Sequence, residues 1–249
     1  MTYTEARVDA FSDTDFRIGR VISKSFSVFF QNIIPFTLIA GAVSVPGIAI
    51  AMLQQEGGPP ETQAVLGLAS IVLGLFFGPL ATAIILHAAF QHMRGRPVSL
   101  GDSVFGGLAR FLPLVGVMFL STLGMMLGML LLIVPGLILM TMWYVAVPAC
   151  VVEGTGPVRS LGRSRELTAG YRWKMFGLIL LVIVISVIGS MVVTLPAVFL
   201  AGIWGQLAVQ LVWAGLSGGF GSVLIAVAYY YLRVAKEGVD VDQIASVFD

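Results

Sequence analysis

The feature that most constrains this chain is a series of continuous apolar runs, each too long for a helix of a soluble core. They cover about residues 33–53, 64–93, 112–134, 137–152 and 207–232, with a further run from about 175 to a break at Pro196. About 20 apolar residues in a helix cross the ~30 Å hydrocarbon layer of a bilayer. Inside that layer every backbone N–H and C=O must find a partner within the protein, so only helices and closed barrels span it. The runs are continuous rather than alternating, which excludes a barrel. The expected fold is all-α: a polytopic membrane helical bundle of six transmembrane helices with interfacial amphipathic helices. Composition agrees, with 58% hydrophobic and 11% charged residues where a soluble domain carries about 25% charged.

Charge sets the expected orientation. Six spans place both termini on one side, and all 14 Lys and Arg residues then fall on that side. The loop 54–63 on the other side carries Glu56 and Glu61 and no basic residue. Cytoplasmic loops are enriched in Lys and Arg, so the termini are expected in the cytoplasm and the protein in a bacterial inner membrane. A net charge of +1, with its cations confined to membrane-flanking loops, gives no reason to expect nucleic acid. The single cysteine, Cys150, cannot close an intrachain disulfide. No cleavable leader is expected, because the first 15 residues are polar and mildly acidic.

Three segments repeat one plan: an apolar residue followed by glycine (Ile18-Gly19, Leu100-Gly101, Leu161-Gly162), a charged amphipathic helix ending in aromatics, then two spans. The chain is expected to divide into a disordered N-terminus at 1–15, a membrane domain at 16–236 and an amphipathic tail at 237–249. Within the membrane domain the repeats lie at about 16–93, 94–153 and 154–236, a three-fold hairpin repeat. Asp15 is placed to cap the first helix, and Ser99 with Asp102 is spaced like a capping box. Pro35 and Pro46 are expected to kink or thin the first span, and Pro135-Gly136 to form a tight turn. Three G-x-x-x-G pairs, Gly74/Gly78, Gly124/Gly128 and Gly215/Gly219, offer close helix approach.

The most charged segment is 153–174, EGTGPVRSLGRSRELTAGYRWK. Pro157 suits a first helical turn and Gly170 a C-terminal stop. Leu161, Leu167 and Tyr171 are expected toward lipid, with Arg159, Arg163 and Glu166 toward water and Trp173 at the headgroup level. Glu153 precedes this helix and is expected to pair with Arg163, Arg165 or Arg172. Tyr229 to Tyr231 and Arg233 are expected to mark the interfacial end of the last span. Arg17, Arg20, Lys24, Arg94, Arg96, Arg110, Arg163, Arg172 and Lys174 are expected to form a collar able to meet anionic head groups, each contributing roughly 1 kcal/mol near an anionic leaflet. His87 is the one ionisable side chain well inside an apolar run. Such residues are functional candidates, although helix–helix packing explains a neutral imidazole equally well. His87 and His92 are five apart and point about 140° away from each other, against a shared metal. No Ser/His/Asp set, phosphate loop or metal cluster is recognisable, so no catalytic role and no cofactor is expected.

Several motifs resemble a known family. Val134-Pro135-Gly136, Val147-Pro148, Glu153-Gly154, Gly156-Pro157 leading into Leu161, Ser164, Glu166 and Leu167, and Arg172-Trp173 are similar to the membrane domain of bacterial glycerophosphoryl diester phosphodiesterases and to stand-alone YciC-like inner-membrane proteins. Ile18-Gly19 and the RGRPVSLGD loop also fit. The resemblance implies a multi-spanning bacterial inner-membrane protein. It does not carry over hydrolysis, since the chain has no room for a barrel of ~250 residues. The expected function is non-enzymatic binding of anionic lipids, or of a membrane or cytoplasmic protein partner, at the basic face. The alternative is a transporter or flippase-like carrier for a lipid or small amphiphile, for which His87, Ser121, Thr122, Thr194, Gln210 and Ser217 would have to line a cavity.

Overall fold

The computed structural model describes residues 16–93, 110–197 and 202–238. The expectations for the N-terminal segment, the Ser99–Asp102 box, the second interfacial helix, Arg94 and the tail beyond Gly238 lie outside the described residues.

Among the described residues every regular element is a helix. In chain order these are α1 (Ile18–Gln31), α2 (Ile33–Gln55), α3 (Pro60–Met93), α4 (Phe111–Leu131), α5 (Ile133–Trp143), α6 (Ala146–Glu153), α7 (Pro157–Thr168), α8 (Arg172–Ala197) and α9 (Ile203–Glu237). Six segments are long and apolar enough to cross a membrane: α2, α3, α4, α5 with α6 taken together, and most of α8 and α9. The all-α multi-span fold is therefore as the apolar runs require.

Proline position explains one of the breaks. Pro35 falls in the first turn of α2, where its missing N–H has no intrahelical partner to lose. Pro46, by contrast, lies inside α2. The expected turn at Pro135-Gly136 is displaced. The chain reverses at Leu132, which is extended at φ −165°, ψ 148°, and Pro135-Gly136 lies in the first turn of α5. Gly136 serves close packing there, since a Cβ on it would sit 2.9 Å from the backbone N of Met129 in α4. The fourth span is divided at Tyr144–Val145 into α5 and α6. Pro148 lies one turn further on, and a proline clashes with the carbonyl four residues before it, here that of Tyr144.

Glycines set the tightest crossings. In α9 a Cβ on Gly215 would stand 2.6 Å from the carbonyl O of Thr37 in α2, and one on Gly219 would stand 3.2 Å from the carbonyl O of Phe36. Gly41 faces the same crossing from α2, within reach of Leu211 and Gly215. Gly124 receives the Trp143 ring, and Gly189 receives that of Trp213. Gly74 and Gly78 meet none of the described residues within 4 Å of an added Cβ, so among these the first G-x-x-x-G pair makes no close crossing.

Burial is uneven along the bundle axis. The core draws on Phe16, Val21, Val28, Phe29 and Phe36 near the start of the chain, on 83–90 at the end of α3, and on Leu114 and Val117 at the start of α4. It continues through 145–152, Leu167, Met175 and Leu178, and 223–232 at the end of α9. All of these belong to one end of the bundle, here called the base. Toward the other end side chains such as Val65, Leu68, Ile71, Leu130, Leu131, Ile188 and Val192 are exposed. Apolar faces of this kind need lipid around them.

The order interfacial helix then hairpin appears twice, as α1 with α2/α3 and α7 with α8/α9. The structure corrects how α7 sits. Leu167 was expected to face lipid but is buried, together with Ser160, Ser164 and Thr168. The helix is set into the base against α4, α5 and α6 rather than lying on a lipid surface. The reason is local. The break after Trp143 leaves the carbonyl of Met142 without a helical donor, and the Ser164 hydroxyl donates to it at 2.7 Å. A hydroxyl face (160, 164, 168, one turn apart) thus answers an orphaned backbone acceptor. Tyr229 and Tyr230 are also buried inside the base, not arrayed as an interfacial belt.

Candidate functional site

The charged side chains of the base gather where α6, α7 and α9 meet. α6 ends at Glu153 and is closed by Gly154 in the left-handed conformation at φ 64°, whose N–H donates to the Cys150 carbonyl at 3.1 Å. A side chain at 154 is also barred by space, because the Arg110 guanidinium fills the position its Cβ would take. The chain then turns through Gly156, and Pro157 opens α7 as expected.

This geometry aims Glu153 across the junction. Its Oε1 accepts a hydrogen bond from Arg163 Nε at 2.7 Å and one from the Tyr229 hydroxyl at 3.0 Å. The second guanidinium nitrogen of Arg163 donates to Glu237 Oε1. The other oxygen of Glu237 accepts from Arg233 Nε at 2.9 Å. Arg233 also lies over the Tyr229 ring, 5.9 Å from its centre, and that ring meets Phe90 of α3 edge-on at 6.4 Å. Two arginines and two glutamates therefore form a charge-balanced chain joining three helices. Burial alone would lower the Arg163 pKa, but the hydrogen bonds and charges of Glu153 and Glu237 outweigh it and push it up. Arg163 stays charged at any working pH. With both glutamates held by arginines, the arrangement is a tie between helices.

Of the three partners weighed for Glu153, the structure selects Arg163. Arg165 is exposed on α7. Arg172 is half-buried, and its Nε has no hydrogen-bond partner among the described residues. Trp173 is 86% exposed, as a headgroup anchor would be. Arg110 packs on Gly154, beside the network. His87 is buried in α3 and lies 3.0 Å from the Gln91 side chain, while His92 meets Gln31 of α1 at 2.8 Å. The two imidazoles go to different glutamines, as their spacing requires. Among the described residues no three His, Cys, Asp or Glu side chains gather in a way that could hold a metal. The hydroxyls of Ser121 and Ser217 donate to carbonyls of their own helices, Met118 at 3.1 Å and Trp213 at 2.7 Å.

Tyr229, Arg233 and Glu237 were not expected as members of the network around Glu153 and Arg163. Their spacing of four and four puts all three on one face of α9, a stripe that could have been read beforehand. That this face turns to α6 follows only from the α2–α9 crossing, which fixes the rotation of α9.

A family profile described as a domain of unknown function, DUF7847, matches residues 98–232. The match takes in Glu153, Arg163 and Tyr229 and ends one residue before Arg233. No curated protein and no solved structure matches the chain.

Proposed function

The chain belongs to the DUF7847 family, whose description assigns no activity, and from its own residues we propose that it is a non-enzymatic inner-membrane protein whose base gathers anionic lipids. The observation that carries this reading is the charge difference between the two ends. Among the described residues the base holds Arg17, Arg20, Lys24, Arg110, Arg159, Arg163, Arg165, Arg172, Lys174, Arg233 and Lys236, against the acids Glu153, Glu166 and Glu237, and the rest of the sequence adds three Lys or Arg and eight Asp or Glu, so that the chain outside the α2–α3 loop carries 14 cations against 11 acids. The far end holds Glu56 and Glu61 and no cation. Arg163 and Arg233 belong to the network, and the other described cations of the base lie outside it. Basic residues near an anionic leaflet contribute about 1 kcal/mol each, so a set of this size favours anionic over zwitterionic neighbours. By the positive-inside rule the base is cytoplasmic. The resemblance to bacterial phosphodiesterase membrane domains supports the bacterial cytoplasmic membrane as its location.

Two measurements test the reading. Native mass spectrometry of the protein with equal amounts of phosphatidylglycerol and phosphatidylcholine should show retained phosphatidylglycerol in several-fold excess. Equal retention of the two would remove the lipid role. An alkaline phosphatase fused after Asp249 should be inactive and a fluorescent protein there bright. The opposite pattern would invert the orientation.

A further inference from the structure

At the end of the bundle away from the base, two turns among the described residues differ in character. The α2–α3 turn is polar, QQEGGPPETQ at 54–63. The α4–α5 turn is wholly apolar. From Leu123 to Met140 no side chain is polar or charged, and the chain reverses in the middle of that run, at Leu132. The tip is five apolar side chains in a row, with Leu130 84%, Leu131 77%, Leu132 69%, Ile133 68% and Val134 64% exposed. Side chains of this size are costly to leave in water, so something covers them.

Lipid is the cover that fits. The exposed surface of the tip continues down one side of α4 through Leu127, Met126, Leu123 and Phe119, with no polar residue among them, so the acyl chains around the span run on over the turn. Beside the tip Thr122, Met125, Met126, Met129 and Leu130 line a shallow depression of about 460 Å³. Flexible thioether side chains fill irregular gaps and so adapt to a mobile acyl chain. Length agrees. α4 has 21 residues, about 31 Å at 1.5 Å each, which matches a hydrocarbon layer of ~30 Å and leaves nothing to carry the turn past it. The backbone sets the depth. Helix ends keep groups without an intrahelical partner, and these are not tolerated in hydrocarbon. Here the Leu132 N–H donates to the Gly128 carbonyl at 3.1 Å and the Leu132 carbonyl accepts from the Gly136 N–H at 3.5 Å. Gly128 and Gly136 close the two arms on each other, since a Cβ on Gly128 would stand 3.1 Å from the Gly136 Cα. So tight a turn suits the boundary between acyl chains and head groups, where its side chains meet hydrocarbon and its remaining backbone groups meet water.

We propose that the α4–α5 turn does not clear the membrane but is a lipid-docking tip, seated under the head groups of the leaflet opposite the base and held by acyl chains. No charge takes part in this second lipid contact. It therefore stands or falls independently of the reading of the base as an anionic-lipid face.

Spin labelling of the intact protein in vesicles reads the depth. One nitroxide is attached to Leu132→Cys and another to Thr62→Cys in the polar turn; the wild type, whose one cysteine Cys150 is buried, gives the background. Oxygen concentrates in hydrocarbon and a neutral nickel chelate stays in water. At 132 oxygen should relax the label several-fold more than the chelate does, and at 62 the order should reverse. Val134→Cys, also at the tip, repeats the reading should Leu132→Cys fail to fold. The depth at 132 should be the same in phosphatidylcholine and phosphatidylglycerol vesicles. Relaxation at 132 dominated by the chelate places the turn in water and overturns the proposal. An immobilised label reached by neither reagent also overturns it, because a protein, a second copy of this chain included, then covers the tip. A depth that shifts with head-group charge removes the assignment to acyl chains.

Discussion

Replacing Arg163 by alanine tests whether the charged chain at the base holds the helices together. Arg163 bonds two carboxylates, Glu153 from α6 and Glu237 from α9. Hydrogen bonds to charged groups contribute about 1.5–3 kcal/mol each when sheltered, whereas exposed pairs fall below about 1 kcal/mol. The three side chains are 25%, 20% and 23% exposed, between these limits, so about 1 kcal/mol per bond is appropriate. The variant also leaves Glu153 with the Tyr229 hydroxyl alone, while Glu237 keeps Arg233, and a stranded charge adds to the loss. The expected destabilisation is about 2–3 kcal/mol, or an unfolding midpoint lower by about 5–10 °C at 2–4 °C per kcal/mol for a chain of this size. Tryptophan fluorescence during heating in detergent micelles measures it. Arg165→Ala, an exposed arginine on the same helix, should change stability by no more than about 0.5 kcal/mol. Adding Glu153→Gln to Arg163→Ala should recover part of the loss by removing the one carboxylate left without a cation. If Arg163→Ala behaves like Arg165→Ala, or if the added Glu153→Gln deepens the loss, the network is not a tie between helices. The effect should be equal at pH 7 and pH 9. A raised Arg163 pKa gives stability that is fully present below the ordinary arginine value and is lost only as pH rises past the still higher folded value.

Other consequences can be measured with the same preparations. Gly215→Ala drives a methyl toward the Thr37 carbonyl and should cost about 1–3 kcal/mol by overpacking; Gly74→Ala, in open space, should not lower the unfolding midpoint. Ser164→Ala removes the 2.7 Å donor to the Met142 carbonyl and leaves it the Thr168 hydroxyl at 3.4 Å, which should cost about 1 kcal/mol, while opening the α7 backbone to faster hydrogen exchange. Trp173 and Trp204 are 86% and 80% exposed near opposite ends of the bundle. Variants keeping only one of them should each be quenched more by lipids brominated near the head group than by lipids brominated at the chain ends.

The six spans, the helix opened by Pro157 and the stop at Gly170 were legible in the sequence, because each follows from a local rule: continuous apolar length, proline tolerated at a first turn, glycine at a left-handed end. The pairing of Glu153 with a basic residue of α7 was legible as a set of three, and ten residues of separation could not single out Arg163. What the chain order hides is rotation. Leu167 reads as a lipid-facing residue on an amphipathic wheel, yet the Met142 carbonyl freed by the Pro148 break draws the hydroxyl face of α7 inward and Leu167 with it. The same holds for Tyr229, whose neighbours Tyr230 and Tyr231 suggest an interfacial belt until the Gly215 crossing turns the end of α9 toward the core. Likewise Gly74 and Gly78 carry the same motif as Gly215 and Gly219, and only packing tells the used pair from the unused one.

The uneven burial along the bundle gives the protein a gradient of stiffness. At the base the spans are fastened to one another by side chains; toward the far end their apolar faces rest on acyl chains. A bilayer that thickens or thins imposes modest costs per Å of mismatch, met by tilt. Tilt of this kind would fall on the lipid-exposed outer parts of the spans rather than on the buried base. The cationic base is thereby mechanically insulated from the membrane it is set in, presenting the same charge pattern to the head groups whatever the hydrocarbon thickness around it.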